Sequence, residues 1–234
     1  MSQTQDTSVI LVCAGNATRM QGKNKILLPL GDTNVIGMSM RAFEACPKVA
    51  EIIVVARPAD HDAIRETAEQ CGITKFHAIV AGGSTRQESV MCGLRALSKG
   101  TTMIAVHDGA RPLVNRETIE KTIFAAFDFD AAAPGIPVKD TIKTVSDEGI
   151  VTSTPARDSL RAIQTPQVFN KKMYLSAMQS VPNSELFTDD CGLIEAYGKL
   201  VKIVDGDNTN IKITTPEDLI IAEAIINKGE KDEF

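Results

Sequence analysis

The sequence predicts an α/β protein with a mostly parallel sheet covered by helices on both faces, and three observations lead to it. Short apolar runs rich in β-branched residues stand at 9–12, 51–56, 76–81 and 102–107, each ending in a turn. After the turns come segments whose apolar residues recur at helical spacing. The alternation of strand, turn and helix repeats along the first half of the chain, and strands joined through helices lie parallel.

The first run ends at Ala14-Gly15, and residues 14–25 then offer small side chains, backbone amides and the cations Arg19, Lys23 and Lys25, with no Asp or Glu among them. A strand-to-helix turn of this kind receives a polyphosphate, although an ordinary connection with solvated basic residues reads the same in isolation. Residues 27–30 form a short extended piece. Residues 35–45 form an amphipathic helix with Ile36, Met40 and Phe43 on one face. The second strand, 51–56, is closed by Arg57-Pro58, and a helix over 59–70, with Ile64 and Ala68 inward, stops at Cys71-Gly72. The third strand, 76–81, enters Gly82-Gly83-Ser84-Thr85-Arg86 and a helix over 87–97 on which Val90, Leu94 and Leu97 recur. The fourth, 102–107, delivers Asp108-Gly109-Ala110-Arg111-Pro112. Ligands gather outside the carboxyl ends of strands in open sheets, so the turns at 14–25, 82–86 and 108–112 share the expected binding edge.

After a helix over 115–127 the alternation breaks. Residues 131–137 form a strand; 138–145 and 150–154 are extended runs joined by Ser146-Asp147-Glu148-Gly149, a hairpin signal. An arm over about 138–160 has little core of its own, and a second copy of the chain is the expected surface for it. Residues 165–169 return to the sheet, 171–178 and 190–197 are helical, and 200–204 form a last buried strand. Thr215 as cap, Pro216 and the acids Glu217 and Asp218 open a closing helix over 217–227, and the charged tail 228–234 is expected to fray.

A chain of 234 residues without an evident linker is expected to form one domain, 1–234. A net charge of −5 argues against a nucleic-acid partner, which would demand a basic face. The first residues lack a signal-peptide pattern and no run is long enough to span a bilayer, so a soluble, cytoplasmic protein without a membrane partner is expected. The five cysteines, at 13, 46, 71, 92 and 191, include no Cys-x-x-Cys pair, and three scattered histidines build no transition-metal site.

Seven blocks occur in one order: Ala14-Gly15-x-x-x-Arg19-Met20 with Lys25; Gly82-Gly83-x-x-Arg86-x-x-Ser89-Val90; His107-Asp108-Gly109-Ala110-Arg111-Pro112; Pro137-Val138-Lys139-Asp140-Thr141; Thr165-Pro166-Gln167; Thr188-Asp189-Asp190; and Asn210-Ile211-Lys212. Together they resemble the 2-C-methyl-D-erythritol 4-phosphate cytidylyltransferase family of the non-mevalonate isoprenoid pathway, over nearly the whole chain. The resemblance implies a Rossmann-like fold of the nucleotide-diphospho-sugar transferase type. It further implies a reaction joining CTP to methylerythritol phosphate with release of pyrophosphate, Mg2+ as cofactor, and a homodimer hooked together by the arm.

Carried over residue by residue, Arg19 and Lys25 match the family's transition-state stabilisers, and Lys212 a lysine that also steers the phosphate substrate. Arg157 matches the arm-side arginine that grips methylerythritol phosphate, and Thr141 its hydroxyl companion. Ala14, Gly15, Asn16 and Ala17 match the nucleotide loop; Gly82, Gly83, Arg86 and Ser89 resemble the cytosine pocket; Asp108 would help hold magnesium, and Gly109 would admit the ribose. Plainer readings exist for several: a salt bridge of Arg157 with Asp158, a simple helix entry at 82–89, a strand-end role for His107, a helix start at Asp189 and Asp190. The sequence departs from the family at Ala17, where glycine is usual; a positive φ there would cost alanine about 1–2 kcal/mol, unless Asn16 takes the unusual dihedral. Two other functions share the scaffold: a cytidylyltransferase for ribitol 5-phosphate or another polyol phosphate, and a nucleotide-sensing module without catalysis. A dinucleotide-dependent dehydrogenase is disfavoured because no Gly-x-Gly-x-x-Gly follows the first strand.

Overall fold

A computed structural model describes residues 7–15, 24–182 and 187–232. In chain order the elements are β1 (Thr7–Val12), β2 (Pro29–Leu30), β3 (Thr33–Asn34), α1 (Val35–Glu44), β4 (Val49–Ala56), α2 (His61–Gln70), β5 (Phe76–Ala81), α3 (Arg86–Arg95), β6 (Met103–Asp108) and α4 (Arg116–Phe129). There follow β7 (Ala131–Pro137), β8 (Thr144–Val145), β9 (Val151–Ser153), β10 (Arg161–Ile163), β11 (Gln167–Asn170), α5 (Lys171–Ser180), α6 (Asp190–Ala196), β12 (Lys202–Asp205) and α7 (Pro216–Asp232). Strands β5, β4, β1 and β6 pair in parallel, in that spatial order. The returning β11 inserts antiparallel between β6 and β7, β10 adds antiparallel to β7, and β12 closes the far edge parallel to β7.

Side-chain alternation along β1 shows how the sheet is covered on both faces. Val9 and Leu11 join Met40, Phe43, Ile64, Ile119 and Ile123 from α1, α2 and α4, whereas Ile10 joins Val90, Leu94, Tyr174 and Ile194 from α3, α5 and α6. Each such aliphatic side chain contributes about 1.5–3 kcal/mol when fully buried. A third, smaller cluster of Leu30, Val35, Ile213 and Ala222 docks α7 beside the segment that precedes it.

Three sequence expectations change here. The strand near 200–204 is not buried: Leu200 is 85% exposed, and β7 is the one strand among the described residues that pairs with β12. The closing helix does not stop at 227 but runs to Asp232, because Lys, Glu and Asp continue a helix and a single Gly229 costs only about 1 kcal/mol. In the arm, only β8 and β9 pair, around Ser146–Gly149 bonds, while residues 138–143 form no strand. The five cysteines are free, and no helix among the described residues is long and apolar enough to cross a membrane.

Candidate functional site

The chain leaves β1, builds β4 and β5 on one side, and then crosses back to β6 on the other. The carboxyl ends of β1 and β6 therefore flank a topological switch point, where loops diverge and leave a crevice. A cavity of about 670 Å³ opens there, walled by residues 12–15, 24–26, 83–86, 163–165 and 188–189 together with Ser89, Asp108, Ala110, Arg111, Gln167 and Lys212.

Long-range backbone contacts bring distant cations to this wall. Lys25 opens a one-turn helix, Lys25–Leu27, whose Ile26 amide donates to the Asn24 side chain at 3.4 Å. Its Nζ donates to the Ile213 carbonyl at 3.0 Å, and the Ile213 amide donates to the Ala110 carbonyl at 2.8 Å. Lys212, next to that anchor, places Nζ 2.8 Å from Asp108 Oδ2, and Arg111 Nε stands 3.6 Å from the same oxygen. Burial alone would raise the Asp108 carboxyl; Lys212 first, then Arg86 and Arg111, outweigh it and hold the group below the usual carboxylate range.

Arg86 begins α3, which Thr85 and Glu88 close with a reciprocal capping box. Its Nη1 lies 2.6 Å from Oδ2 of Asp190, a fully buried carboxylate whose other oxygen accepts from Tyr174 Oη at 2.6 Å. Burial works against the Arg86 charge, and Asp190 and then Asp108 more than restore it. Gln167 locks the arrangement: Oε1 accepts from the Asp190 and Cys191 amides, and Nε2 donates to Asp189 at 2.8 Å. Asp189 itself caps α6 through the Gly192 amide, as the plainer reading had it, while Asp190 holds Arg86 in place. Ser89 Oγ accepts from the Gly83 amide at 3.1 Å and donates to the Thr85 carbonyl at 2.9 Å, fixing the glycine turn.

Ala14, Gly15, Lys25, Gly83, Arg86, Ser89, Asp108 and Lys212 thus line one cavity. Asn16, Ala17 and Arg19 lie outside the described residues. Gly82 and Gly109 stand behind the wall, and their need for glycine is one of packing. A Cβ on Gly82 would run into the Ala14 methyl, and one on Gly109 into the Cys13 sulfur, with Ile36 Cδ1 at 3.2 Å. Thr141 and Arg157 do not reach the cavity of their own chain. Both are exposed in the arm, and Arg157 Nη1 donates to the Lys139 carbonyl at 3.0 Å, where an ion pair with Asp158 had been the plainer expectation. His107 is a buried strand residue: its Nδ1 meets Thr165 Oγ1 at 3.0 Å, its ring packs edge-on to Phe43, and burial lowers its pKa to about 4.

Residues given no individual role from sequence complete the wall. Arg111 donates to the Asn210 carbonyl at 2.8 Å, Thr165 Oγ1 accepts from the Asp108 amide at 3.1 Å, and the Gln164 side chain holds residues 207–210. Arg111, Thr165 and Gln167 stand inside recognised blocks; Asn24 and Gln164 have no signal beyond their position beside one. The Cys13 thiol is pushed up by burial, then by Asp108, which keeps it protonated and unfit as a nucleophile. Among the described residues no three His, Cys, Asp or Glu side chains cluster as a metal cage.

The switch-point cavity, cationic on its rim and with no activated nucleophile among the described residues, is suited to transfer between two phosphorylated substrates; with this fold it defines an α/β nucleotidyltransferase. The chain belongs to the IspD family, 2-C-methyl-D-erythritol 4-phosphate cytidylyltransferase, whose model matches residues 7–228. It is 43% identical to the enzyme of that name from Caldanaerobacter subterraneus, over 95% of this chain and 100% of the relative, and 41% identical to that from Desulforamulus reducens, over 94% and 95%. Among solved structures it resembles 4-diphosphocytidyl-2C-methyl-D-erythritol synthase from Anaerococcus prevotii, with TM-score 0.84 and 34% identity over 94% of this chain and 96% of that one. The Thermus thermophilus cytidylyltransferase aligns with TM-score 0.73 and 31% identity over 93% and 97%. These relatives support the methylerythritol phosphate reading and neither the ribitol phosphate nor the sensor reading.

Proposed function

We propose that the cavity receives CTP with its phosphates against Lys25, Lys212 and the amides of the turn after β1, and that a phosphate oxygen of 2-C-methyl-D-erythritol 4-phosphate attacks the α-phosphorus in line. A new P–O bond forms there as the bond to the β-phosphate breaks, giving 4-diphosphocytidyl-2-C-methyl-D-erythritol and pyrophosphate. Both reactants are anions, so fixed cations lower the barrier by cancelling repulsion and by meeting the charge that grows on the phosphoryl oxygens. The observation supporting this most directly is the meeting of Lys25 and Lys212 on one wall, through an anchor 188 positions along the chain. Arg19 keeps the role the family resemblance implies. The Gly83 turn braced by Ser89, together with Arg86, suits the cytosine ring: Arg86 is already balanced by Asp190 and leaves Lys25 and Lys212 to the phosphates.

Mg2+ fits this site in one way. Asp108 is an ionised carboxylate in the cavity wall with no cage of further ligands among the described residues, so an ion there would take one protein oxygen and complete its shell from phosphate oxygens and water, as magnesium does. When bound, the ion would neutralise charge on the triphosphate. The arm bears exposed Ile142, Val145, Ile150 and Val151 beside Thr141 and Arg157. In this reading the arm packs on a second copy and carries Thr141 and Arg157 to that copy's cavity as ligands for the polyol phosphate. The free cysteines suit the reducing cytoplasm. Pyrophosphate release measured with CTP and Mg2+ tests the reading: methylerythritol phosphate is expected to turn over far faster than ribitol 5-phosphate, and the reverse preference would overturn it.

A further inference from the structure

Two residues that the proposed reaction needs separately are occupied with each other. Lys212 Nζ lies 2.8 Å from Asp108 Oδ2, the Asp108 side chain being 15% and the Lys212 side chain 42% exposed. Arg111 stands 3.6 Å from the same oxygen, and the charge of Arg86 also reaches it. A single carboxylate amid three cations is a poor landing place for a free divalent ion, which must expel an ammonium and enter a field of its own sign. The chain on either side of Lys212 is pinned, by the Asn210 side-chain amide donating to the Thr165 carbonyl and by the Ile213 amide donating to the Ala110 carbonyl. Its exposed stem is the part able to swing.

We propose that Lys212 is the resident stand-in for the divalent cation: it neutralises Asp108 in the empty cavity, keeps a free ion out, and yields when the ion arrives carried by the triphosphate, whose charge offsets the local field. Displacement releases the ammonium to meet phosphoryl oxygens, so loading of the metal and arming of Lys212 are one event. The inference rests on the reading of Asp108 as a metal ligand given above.

Mn2+ serves as the probe, with the free ion counted by electron paramagnetic resonance. Without nucleotide, Lys212→Met is expected to bind Mn2+ at least about tenfold more tightly than the native protein. Lys25→Met removes an equal charge from the same cavity but leaves the Lys212–Asp108 contact in place, and is expected to gain less than about threefold. Asp108→Asn combined with Lys212→Met abolishes the gain. Lys212→Gln, checked by thermal melting alongside Lys212→Met, repeats the test with a polar side chain. Lys212 variants no tighter than native, or an equal gain in Lys25→Met, overturn the stand-in role. With CTP present, Asp108→Asn is expected to weaken Mn2+ retention; native-like retention there would sink the metal-ligand reading itself, whereas failure of the first comparison alone leaves that reading intact.

Discussion

The carboxyl edge of the sheet and the arm over residues 138–160 are both built from polar loops, yet they are held by different means. At the sheet edge the described cations meet partners from remote parts of their own chain: Lys212 with Asp108, Arg86 with Asp190, Lys25 with the Ile213 carbonyl. In the arm the contacts are local, such as Arg157 to Lys139 and Ser153 to Thr144, and the apolar residues Ile142, Val145, Ile150 and Val151 face outward. Long-range partners order a site before any ligand arrives; local ones leave a segment whose apolar area awaits another surface. The first region is held by contacts that span one chain, and the second leaves apolar side chains exposed.

The largest effect expected on that contrast is catalytic. Lys25→Ala should lower kcat by about 10²–10³ with the fold retained, the cost of removing one donor that meets developing charge. Arg157→Ala should cost about 10–100-fold, in the range of one charge-assisted phosphate contact. Mixing the two impaired proteins is the sharper measurement. If the arm serves the neighbouring cavity, a mixed dimer contains one site with native Lys25 and native Arg157, and activity returns; absence of recovery would place Arg157 in the service of its own chain and erase the contrast.

Acid offers a second way to separate the regions. His107 lies buried under the cavity with its pKa lowered from 6.5 to about 4. It is neutral when folded, and the unfolded chain takes up the proton first, so its contribution is complete above pH 6.5 and is lost as pH falls toward 4. Between pH 7 and pH 5 the loss amounts to about 2 kcal/mol, readable in urea titrations. The Asp108 carboxyl, held below its usual range, adds a further loss only at lower pH, because it must be protonated to weaken the native state. His107→Gln should flatten the slope between pH 6.5 and pH 5, whatever it does to overall stability; an unchanged slope would mean the titrating group lies elsewhere.

What the sequence made legible follows the same division. The strands of the sheet stood out because short apolar runs bounded by turns have few other homes, and 76–81 and 131–137 match β5 and β7 residue for residue. Strand β10 is not legible because Arg161-Ala162-Ile163 is too short to show a period, and the apolar run at 200–204 reads as buried although β12 is an exposed edge. At the site, residues inside turn motifs were found. The bonds joining them, Arg86 to Asp190 or Lys25 to Ile213, could not be, since nothing local marks partners so far apart in the chain. Gly82 and Gly109 teach a narrower lesson: glycine in a binding turn invited a ligand contact, but each proves necessary because a neighbour, Ala14 or Cys13, occupies the space of its side chain.

The smallest expected effect bears most directly on whether the arm belongs to one chain or two. Ile150 is 67% exposed at the hairpin turn, so Ile150→Asp should change the urea stability of the isolated chain by no more than about 0.5 kcal/mol. A charge placed at Val106, fully buried in β6, would cost several kcal/mol and unfold the protein. If the arm docks on a second copy, the same silent substitution removes an apolar contact from both halves of a symmetric interface, and the dimer dissociation constant should rise at least about tenfold. Sedimentation across a dilution series reads that shift while unfolding at low concentration reads the single chain. Loss of stability in the isolated chain would mean that the arm is part of the core, and an unchanged dissociation constant would mean that the dimer, if formed, uses another face.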